Sequence, residues 1–415
     1  MSKIEWIEKT LGDLIHIKHG WAFKGEYFAS DGEYIVVTPG NFFEEGGFRL
    51  RIGKEKFYTD KFPTEYLLKK NDLVIAMTEQ GEGLLGSPAL IPYDDVFLHN
   101  QRIGLFQDFD EELVSKEYLY YLFFTQYIRD TIANSSTGTK VRHTAPKSIY
   151  KIKVKLPSLK TQTKIASILS SYDELIENNN QRIKLLEEMA EEIYKEWFVR
   201  FRFPDFQNVK MVDGIPEEWK ENQMKDYGKI VTGKTPSTQC SDNFGGNIPF
   251  IKIPDFKQGL FVIDTDETLS LKGANSQKNQ FIPANSICIS CIGSVGEVAI
   301  TMEQSQTNQQ INTIELQNIN NLEYLYFALK KLKPIVEAYA ATGATMGNIS
   351  KGKFEKLKLV KPNDFLLEKF SDIVKPIFEE IKNLMQKNQN LKQTRDLLLP
   401  RLISGKLDIE KLKIT

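Results

Sequence analysis

The side chains in this chain best suited to chemistry are amides, hydroxyls and cations, and the chemistry they suit is recognition. Gln80, Gln101 and Arg102 in the first half, and Ser294, Gln309 and Gln310 in the second, stand at the ends of apolar runs. Gln, Asn and Arg can make bidentate contacts to adenine and guanine edges. An Asn-Gln pair at a strand end can equally stabilise a turn. A second signal is charge. From Thr131 to Tyr172 there is no Asp or Glu, while the window holds Lys140, Arg142, Lys147, Lys151, Lys153, Lys155, Lys160 and Lys164. The second half carries Lys351, Lys353, Lys356, Lys358 and Lys361 against a single Glu355, with Lys234 as a further cation. The whole chain has a net charge of −1, so this is a local asymmetry. One such patch alone reads as a solvated strand and loop. The same patch in both halves points to a phosphate-contacting edge, with Lys and Arg displacing counterions from DNA.

Other stretches imitate chemistry without completing it. Gly81-Glu82-Gly83-Leu84-Leu85-Gly86 has the spacing of a dinucleotide fingerprint and follows an apolar run. Ser87-Pro88 and Pro92 prevent the helix that such a loop must open. Cys288 and Cys291 are spaced as metal ligands, but only Cys240 could join them and every His lies in the first half. A zinc site would lack ligands, and a core strand is the better reading. Pro204-Asp205 with Glu218-Trp219-Lys220 imitates a nuclease metal motif, but it spans a Pro/Gly connector and occurs once. The chain has no Gly-x-x-x-x-Gly-Lys phosphate loop. It also lacks the Asn/Asp-Pro-Pro-aromatic motif of adenine methyltransferases. The expectation is a binder with no catalytic, cofactor or metal residues of its own.

At 415 residues the chain can build two domains, each with its own core. Three cysteines fit a reducing cytoplasm. No run reaches the length of a membrane span, and the first residues lack a signal peptide's apolar stretch. A cytoplasmic protein without membrane contact is expected. The chain also repeats itself. Pro157 answers Pro362, Thr137-Gly138 answers Thr342-Gly343, Asn100-Gln101 answers Asn308-Gln309, and Trp6 answers Trp219. These offsets of 205 to 213 residues are far longer than a solenoid unit. They describe a duplicated half-molecule, suited to two similar tasks at two places on one ligand.

The elements that must position these residues follow the same repeat. The first half opens with an amphipathic piece around Trp6–Ile17. Strand-like runs follow at 34–37, 72–77 and 96–98, then a helix over roughly Lys116–Ile132 and a strand at 152–156. The second half has strands at 248–251 and 286–289. Each half ends in a long helix, one from about Thr161 to Arg202 and one from about Asp364 to Leu399, where Pro400 ends it. In the first helix Leu169, Ile176, Ile183, Ala190 and Trp197 take one heptad position. Ile165, Tyr172, Asn179, Leu186 and Ile193 take the other, which is a coiled-coil pattern. Its register carries into the second helix through Phe370, Val374, Ile377, Ile381, Leu384, Asn388, Leu391, Arg395, Leu398 and Leu402, with Arg395 the odd member. Antiparallel pairing about a pseudo-dyad sets Asn179 against Asn388, Ile183 against Leu384 and Leu186 against Ile381. It also sets Ile176 against Leu391, Leu169 against Leu398 and Trp197 against Phe370. A buried Asn pair fixes such a register, because a slip leaves both amides unsatisfied. The alternative is that each helix packs on its own domain. A helix of about 36 residues extends about 54 Å, longer than one DNA turn of about 34–36 Å.

This arrangement resembles the specificity (S) subunit of type I restriction-modification enzymes. The Thr-Gly loop leads through Ile152-Lys153-Val154-Lys155-Leu156-Pro157 into Thr163-Lys164-Ile165-Ala166-Ser167-Ile168-Leu169, as in that family's passage from recognition domain to helix. Trp219 after Ile215-Pro216 looks like the start of its second recognition domain, and Leu397-Leu398-Leu399-Pro400-Arg401-Leu402-Ile403-Ser404-Gly405-Lys406-Leu407 like its C-terminal signature. Asn363 departs from Ser158, and Phe365-Leu366-Leu367 from Thr161-Gln162-Thr163, so the second helix is expected to cap differently. The expected fold is α/β (α+β), with two similar recognition domains, two long helices in an antiparallel coiled coil and internal pseudo-two-fold symmetry. The expected boundaries are 1–158 and 204–362 for the domains, 159–203 for the first helix, and 363–415 for the second helix and tail. The resemblance implies a non-catalytic subunit that reads a gapped bipartite site on double-stranded DNA, one half per domain, with the helices as spacer. It implies two modification subunits holding S-adenosylmethionine, docked on helix faces near Glu187, Glu188, Glu191 and Glu192. It also implies restriction subunits using ATP and magnesium. The rival reading is a coiled-coil adaptor whose end domains bind proteins.

Overall fold

The computed structural model describes residues 6–81, 83–341 and 348–409, so Thr342-Gly343 lies outside the described residues. Two compact units emerge: residues 1–175 with 391–415, and residues 176–390. Each has its own buried core. The first helix thus passes from one unit to the other, and so does the second.

In the first unit a four-stranded antiparallel sheet runs in the order His16–His19, Ile103–Gln107, Leu73–Ala76, Pro88–Leu90. Its central strand Leu73–Ala76 is buried on both faces. Leu73 and Ile75 join the core under the helices, while Val74 and Ala76 join a second cluster with Val37, Phe42 and Phe97. This is the alternation that period-two side chains impose on a strand covered on both sides. A second sheet pairs Phe28–Ala29, Phe57–Tyr58, Tyr34–Val36 and Phe97–Leu98. The opening stretch is not one amphipathic piece. Ile7–Thr10 pairs with Lys153–Leu156, a 3-10 turn follows, and His16–His19 enters the main sheet. The expected helix at 116–132 is two, Lys116–Leu122 and Gln126–Asn134. The chain breaks where the Thr125 hydroxyl donates to the Leu122 carbonyl at 2.6 Å, a local bond that competes with the helical ladder.

The second unit repeats the plan with a five-stranded sheet in the order Gly228–Thr232, Ile311–Leu316, Ile287–Ser290, Val298–Thr301, Phe261–Val262. Cys288 lies buried in this sheet with its thiol 3.4 Å from the Thr313 hydroxyl. A three-stranded sheet flanks it, and Lys220–Gln223 pairs with Lys358–Lys361 as the counterpart of Ile7–Thr10 with Lys153–Leu156.

The first long helix is Leu159–Tyr194 and ends in a wider π turn, Lys195–Val199, short of Arg202. That turn sends Phe198 against Trp219 and Phe370, and sets Trp197 5.7 Å from Phe370. Phe201 takes φ 55°, which closes the helix. The second helix, Asp364–Ile403, runs through Pro400 instead of stopping at Leu399. A proline costs one intrahelical donor. Here Leu399, Leu402 and Ile403 are buried in the first unit's core and hold the last turn. The two helices cap alike, against expectation: Asn363 Oδ1 accepts from Leu366 N–H at 2.9 Å, and Ser158 Oγ from Thr161 N–H at 3.4 Å.

Within the second unit the helices meet at an Asn layer. Asn179 Nδ2 donates to Asn388 Oδ1 at 2.8 Å, and Asn388 Nδ2 donates to Asn180 Oδ1 at 2.8 Å. Beyond that layer Ile183 and Leu186 pack against a core that holds Ile381 and Met385. Within the first unit Leu169 and Leu398 share one core. The odd heptad member Arg395 is matched there: its guanidinium pairs with Asp173, whose other oxygen accepts from the Tyr121 hydroxyl at 2.6 Å. The buried cation is paired and hydrogen-bonded, as such burial requires.

Candidate nucleic-acid interface

In each unit four segments converge at one end of the main sheet, and the same three backbone hydrogen bonds join them. In the first unit Trp21 N–H donates to the His99 carbonyl at 2.9 Å, Met77 N–H to Arg102 at 3.0 Å, and Thr144 N–H to Met77 at 3.0 Å. In the second, Lys234 N–H donates to Thr307 at 2.9 Å, Cys291 N–H to Gln310 at 2.7 Å, and Ile349 N–H to Cys291 at 2.9 Å. Gly20 and Gly233 permit this closure. A Cβ on Gly20 would sit 2.2 Å from the Asn100 carbonyl oxygen, and one on Gly233 2.1 Å from that of Asn308. Only a residue without Cβ allows two backbones so close.

The shared Asn residues are structural parts of the frame. Asn100 Oδ1 accepts from Arg102 N–H at 2.9 Å, and Asn308 Oδ1 from Gln310 N–H at 3.1 Å. These are side-chain turns of the kind Asn favours. They present the next two residues, Gln101-Arg102 in one unit and Gln309-Gln310 in the other. Gln101, Arg102 and Gln309 are exposed, and Gln310 is half-buried. Gln309 accepts from the Thr235 hydroxyl at 2.6 Å, and Gln310 from Asn308 Nδ2 at 3.0 Å, so both amides are held in place.

The loop after the central strand differs in length. Gly86 N–H returns to the Ala76 carbonyl at 2.8 Å, and Gly296 N–H to Ser290 at 2.9 Å, enclosing residues 77–85 and 291–295 respectively. Gly83 to Gly86 therefore fall in the connection between the strands Leu73–Ala76 and Pro88–Leu90. Glu79 supports the longer loop. Its carboxylate accepts from Leu84 N–H at 2.9 Å and Leu85 N–H at 2.8 Å, and lies 3.1 Å from the Arg142 guanidinium. The tips, Gln80 and Ser294, are exposed.

Of the basic candidates, Lys140, Lys147, Lys234, Lys351 and Lys353 are exposed. Lys234 belongs to the second frame, and Lys351 follows Ile349, whose backbone joins it. Lys351 also lies 3.6 Å from Glu355. Arg142 is spent inside the protein: besides Glu79, it donates to Ser136 Oγ at 3.0 Å and to the Ala133 carbonyl at 2.5 Å. Lys147 lies in the short helix Pro146–Ile149, which packs on the 3-10 turn Leu11–Asp13 as the helix Lys351–Glu355 packs on the turn Met224–Asp226. Lys151 precedes the strand Lys153–Leu156, on which Lys153 and Lys155 are exposed, and Lys153 pairs with Glu8 at 3.2 Å.

Three residues of the frame carry no motif in the sequence. Trp21 occupies the place of Lys234, and His143 the place of Asn348. His143 Nδ1 lies 3.1 Å from the Thr78 hydroxyl. His99 is buried, with Nε2 2.8 Å from the Ile103 carbonyl. Burial pulls its pKa down to about 4, so the ring is neutral and Nε2 carries the donated proton. The signal that could have found them is the internal repeat, once loop offsets are allowed to vary.

The family model for the type I restriction modification DNA specificity domain matches residues 3–188 and again residues 216–393. The chain is 31% identical over 360 residues to the type I restriction enzyme HindI specificity subunit of Haemophilus influenzae, covering 71% of this chain and 78% of that protein. It is 28% identical over 312 residues to the MjaIX specificity subunit of Methanocaldococcus jannaschii, covering 72% and 71%. The fold is similar to the crystal structure of a type I restriction-modification S subunit from M. genitalium, with TM-score 0.60 and 18% identity over 97% of each chain. Two family matches on the two halves, each holding one copy of the loop frame, establish that the chain belongs to the type I restriction-modification DNA specificity subunit family.

Proposed function

We propose that this chain is the non-catalytic, sequence-specific recognition subunit of a type I restriction-modification assembly, each unit reading one half of a gapped bipartite site on duplex DNA. The observation that carries this reading is a backbone frame kept in both units while its tips differ. Gln80 stands where Ser294 does, Arg102 where Gln310 does, and Trp21 where Lys234 does. A common scaffold with separate tips suits two half-sites of different sequence, since base edges carry the specificity. Lys140, Lys234 and Lys351 beside the frames supply phosphate contacts. Arg142 shapes the loop around Glu79. Residues 1–158 and 204–362 are the recognition modules. Residues 159–203 and 363–415 form the helical spacer and tail, with Asn179 and Asn388 fixing its register.

Two modification subunits dock on the helices and hold S-adenosylmethionine, and restriction subunits bring ATP and magnesium. Glu187 and Glu191 turn inward within the second unit: Gly259 lies against Glu187, and Lys330 is 4.0 Å from Glu191. Exposed Leu185 and Met189 are left for a partner, beside Glu188, 3.9 Å from Lys184, and Glu192, which pairs with Lys195 and Arg200. Duplex binding by the full chain with co-expressed modification subunits tests the proposal. Sequence-selective affinity that falls steeply with salt is expected. Binding that is indifferent to sequence would leave the protein-adaptor reading in its place.

A further inference from the structure

We infer that Trp21 recognises a thymine methyl group in the first unit's half-site, at the frame position where the second unit uses the cation Lys234. This rests on the DNA reading above and deepens it. Trp21 is fixed to the reading loop at both backbone groups: its N–H donates to His99 at 2.9 Å, and its carbonyl accepts from Gln101 N–H at 3.1 Å. The side chain is partly exposed and held by other rings. Tyr66 stacks on it at 6.4 Å and 23°, Phe23 meets it edge-on at 5.1 Å and Tyr58 at 6.5 Å. Lys18 lies over Tyr66 at 4.6 Å and completes the support.

A ring held by three others cannot swing out to intercalate without breaking those contacts. It offers a fixed apolar surface beside Gln101 and Arg102. Of the groups displayed in the major groove, the thymine C5-methyl is the one that such a surface recognises. The equivalent Lys234 is exposed and its Nζ pairs with nothing among the described residues. It suits a phosphate, which steers and positions without reading sequence. The two frames thus spend one position on different chemistries.

The test uses the full chain with its co-expressed modification subunits and a duplex selected by that complex from a random library. Replacing thymines of the first half-site with uracil removes only methyl groups. At one thymine this should weaken binding about fourfold, the worth of one buried carbon. Trp21→Ala should weaken binding by at least as much and become indifferent to uracil. Trp21→Phe should keep part of the sensitivity. Lys234→Ala should instead flatten the salt dependence by about one phosphate contact. Equal uracil sensitivity in wild type and Trp21→Ala overturns the inference, as does a first half-site without thymine. Failure of the wild-type complex to select any sequence would overturn the DNA reading itself.

Discussion

At the scale of residues, the reading frame depends on side chains that never reach its surface. His99 is the clearest case. Its carbonyl holds Trp21, and its buried ring donates to Ile103. Because the ring is neutral in the fold, with a pKa near 4 against an ordinary 6.5, the unfolded chain takes up its proton first as pH falls. Stability contributed here is present above about pH 6.5 and is lost between about 6.5 and 4. The second frame has Thr307 at this place and lacks the effect. Thermal unfolding followed across this range should show the first unit weakening, and His99→Gln, which keeps a donor for Ile103, should remove that part of the slope. An unchanged slope in the variant would place the acid sensitivity elsewhere. Glu79 and Arg142 make a similar point. Sequence reading took Arg142 for a phosphate contact because charge is visible and partners are not. Glu79 sits 63 residues before it, and only the pairing of Thr78–Glu79 with Arg142–His143 brings them together.

At the scale of elements, the long helices were legible because a heptad pattern is local and repeats. The Asn pair followed from that register, and the two amides lie at 2.8 Å. Asn179 is buried and Asn388 half-buried. Stranding a fully buried amide costs about 1–3 kcal/mol and a half-buried one less, whereas replacing both with apolar groups can be nearly neutral. Asn179→Leu alone should therefore lower the unfolding midpoint of the second unit. Asn179→Leu with Asn388→Leu should recover most of the loss. Two neutral results would mean that the amides contribute nothing to the helix pair. The C-terminal ends of the helices were not legible, although the second helix starts at Asp364 as its sequence indicates. The π turn at Lys195–Val199 is shaped by Trp219 and Phe370, distant in sequence, and the last turn through Pro400 is held by the first unit's core.

At the scale of the molecule, duplication gave one chain two cores that share no residue. Each core is closed by part of a helix that begins in one unit and ends in the other. Exchange of residues 1–158 for the corresponding segment of another family member should then change one half of the recognised site, provided the contacts to Leu399, Leu402 and Ile403 are kept. Methylome mapping of cells carrying the chimera would show this. A change in both halves would mean that the two units do not read independently.

What the sequence by itself determined is whatever repeats or is local: the duplication, the heptad register, the strands of the sheets and the cationic bias. These rest on side-chain periodicity and backbone preference, which neighbours in the chain express. Tertiary structure alone decided which polar residues share a site. The frames join residues near 21, 77, 100 and 144, and near 234, 291, 308 and 349, through hydrogen bonds between distant segments. It also decided which charges are free, since an ion pair is a property of two positions and a sequence shows each of them alone.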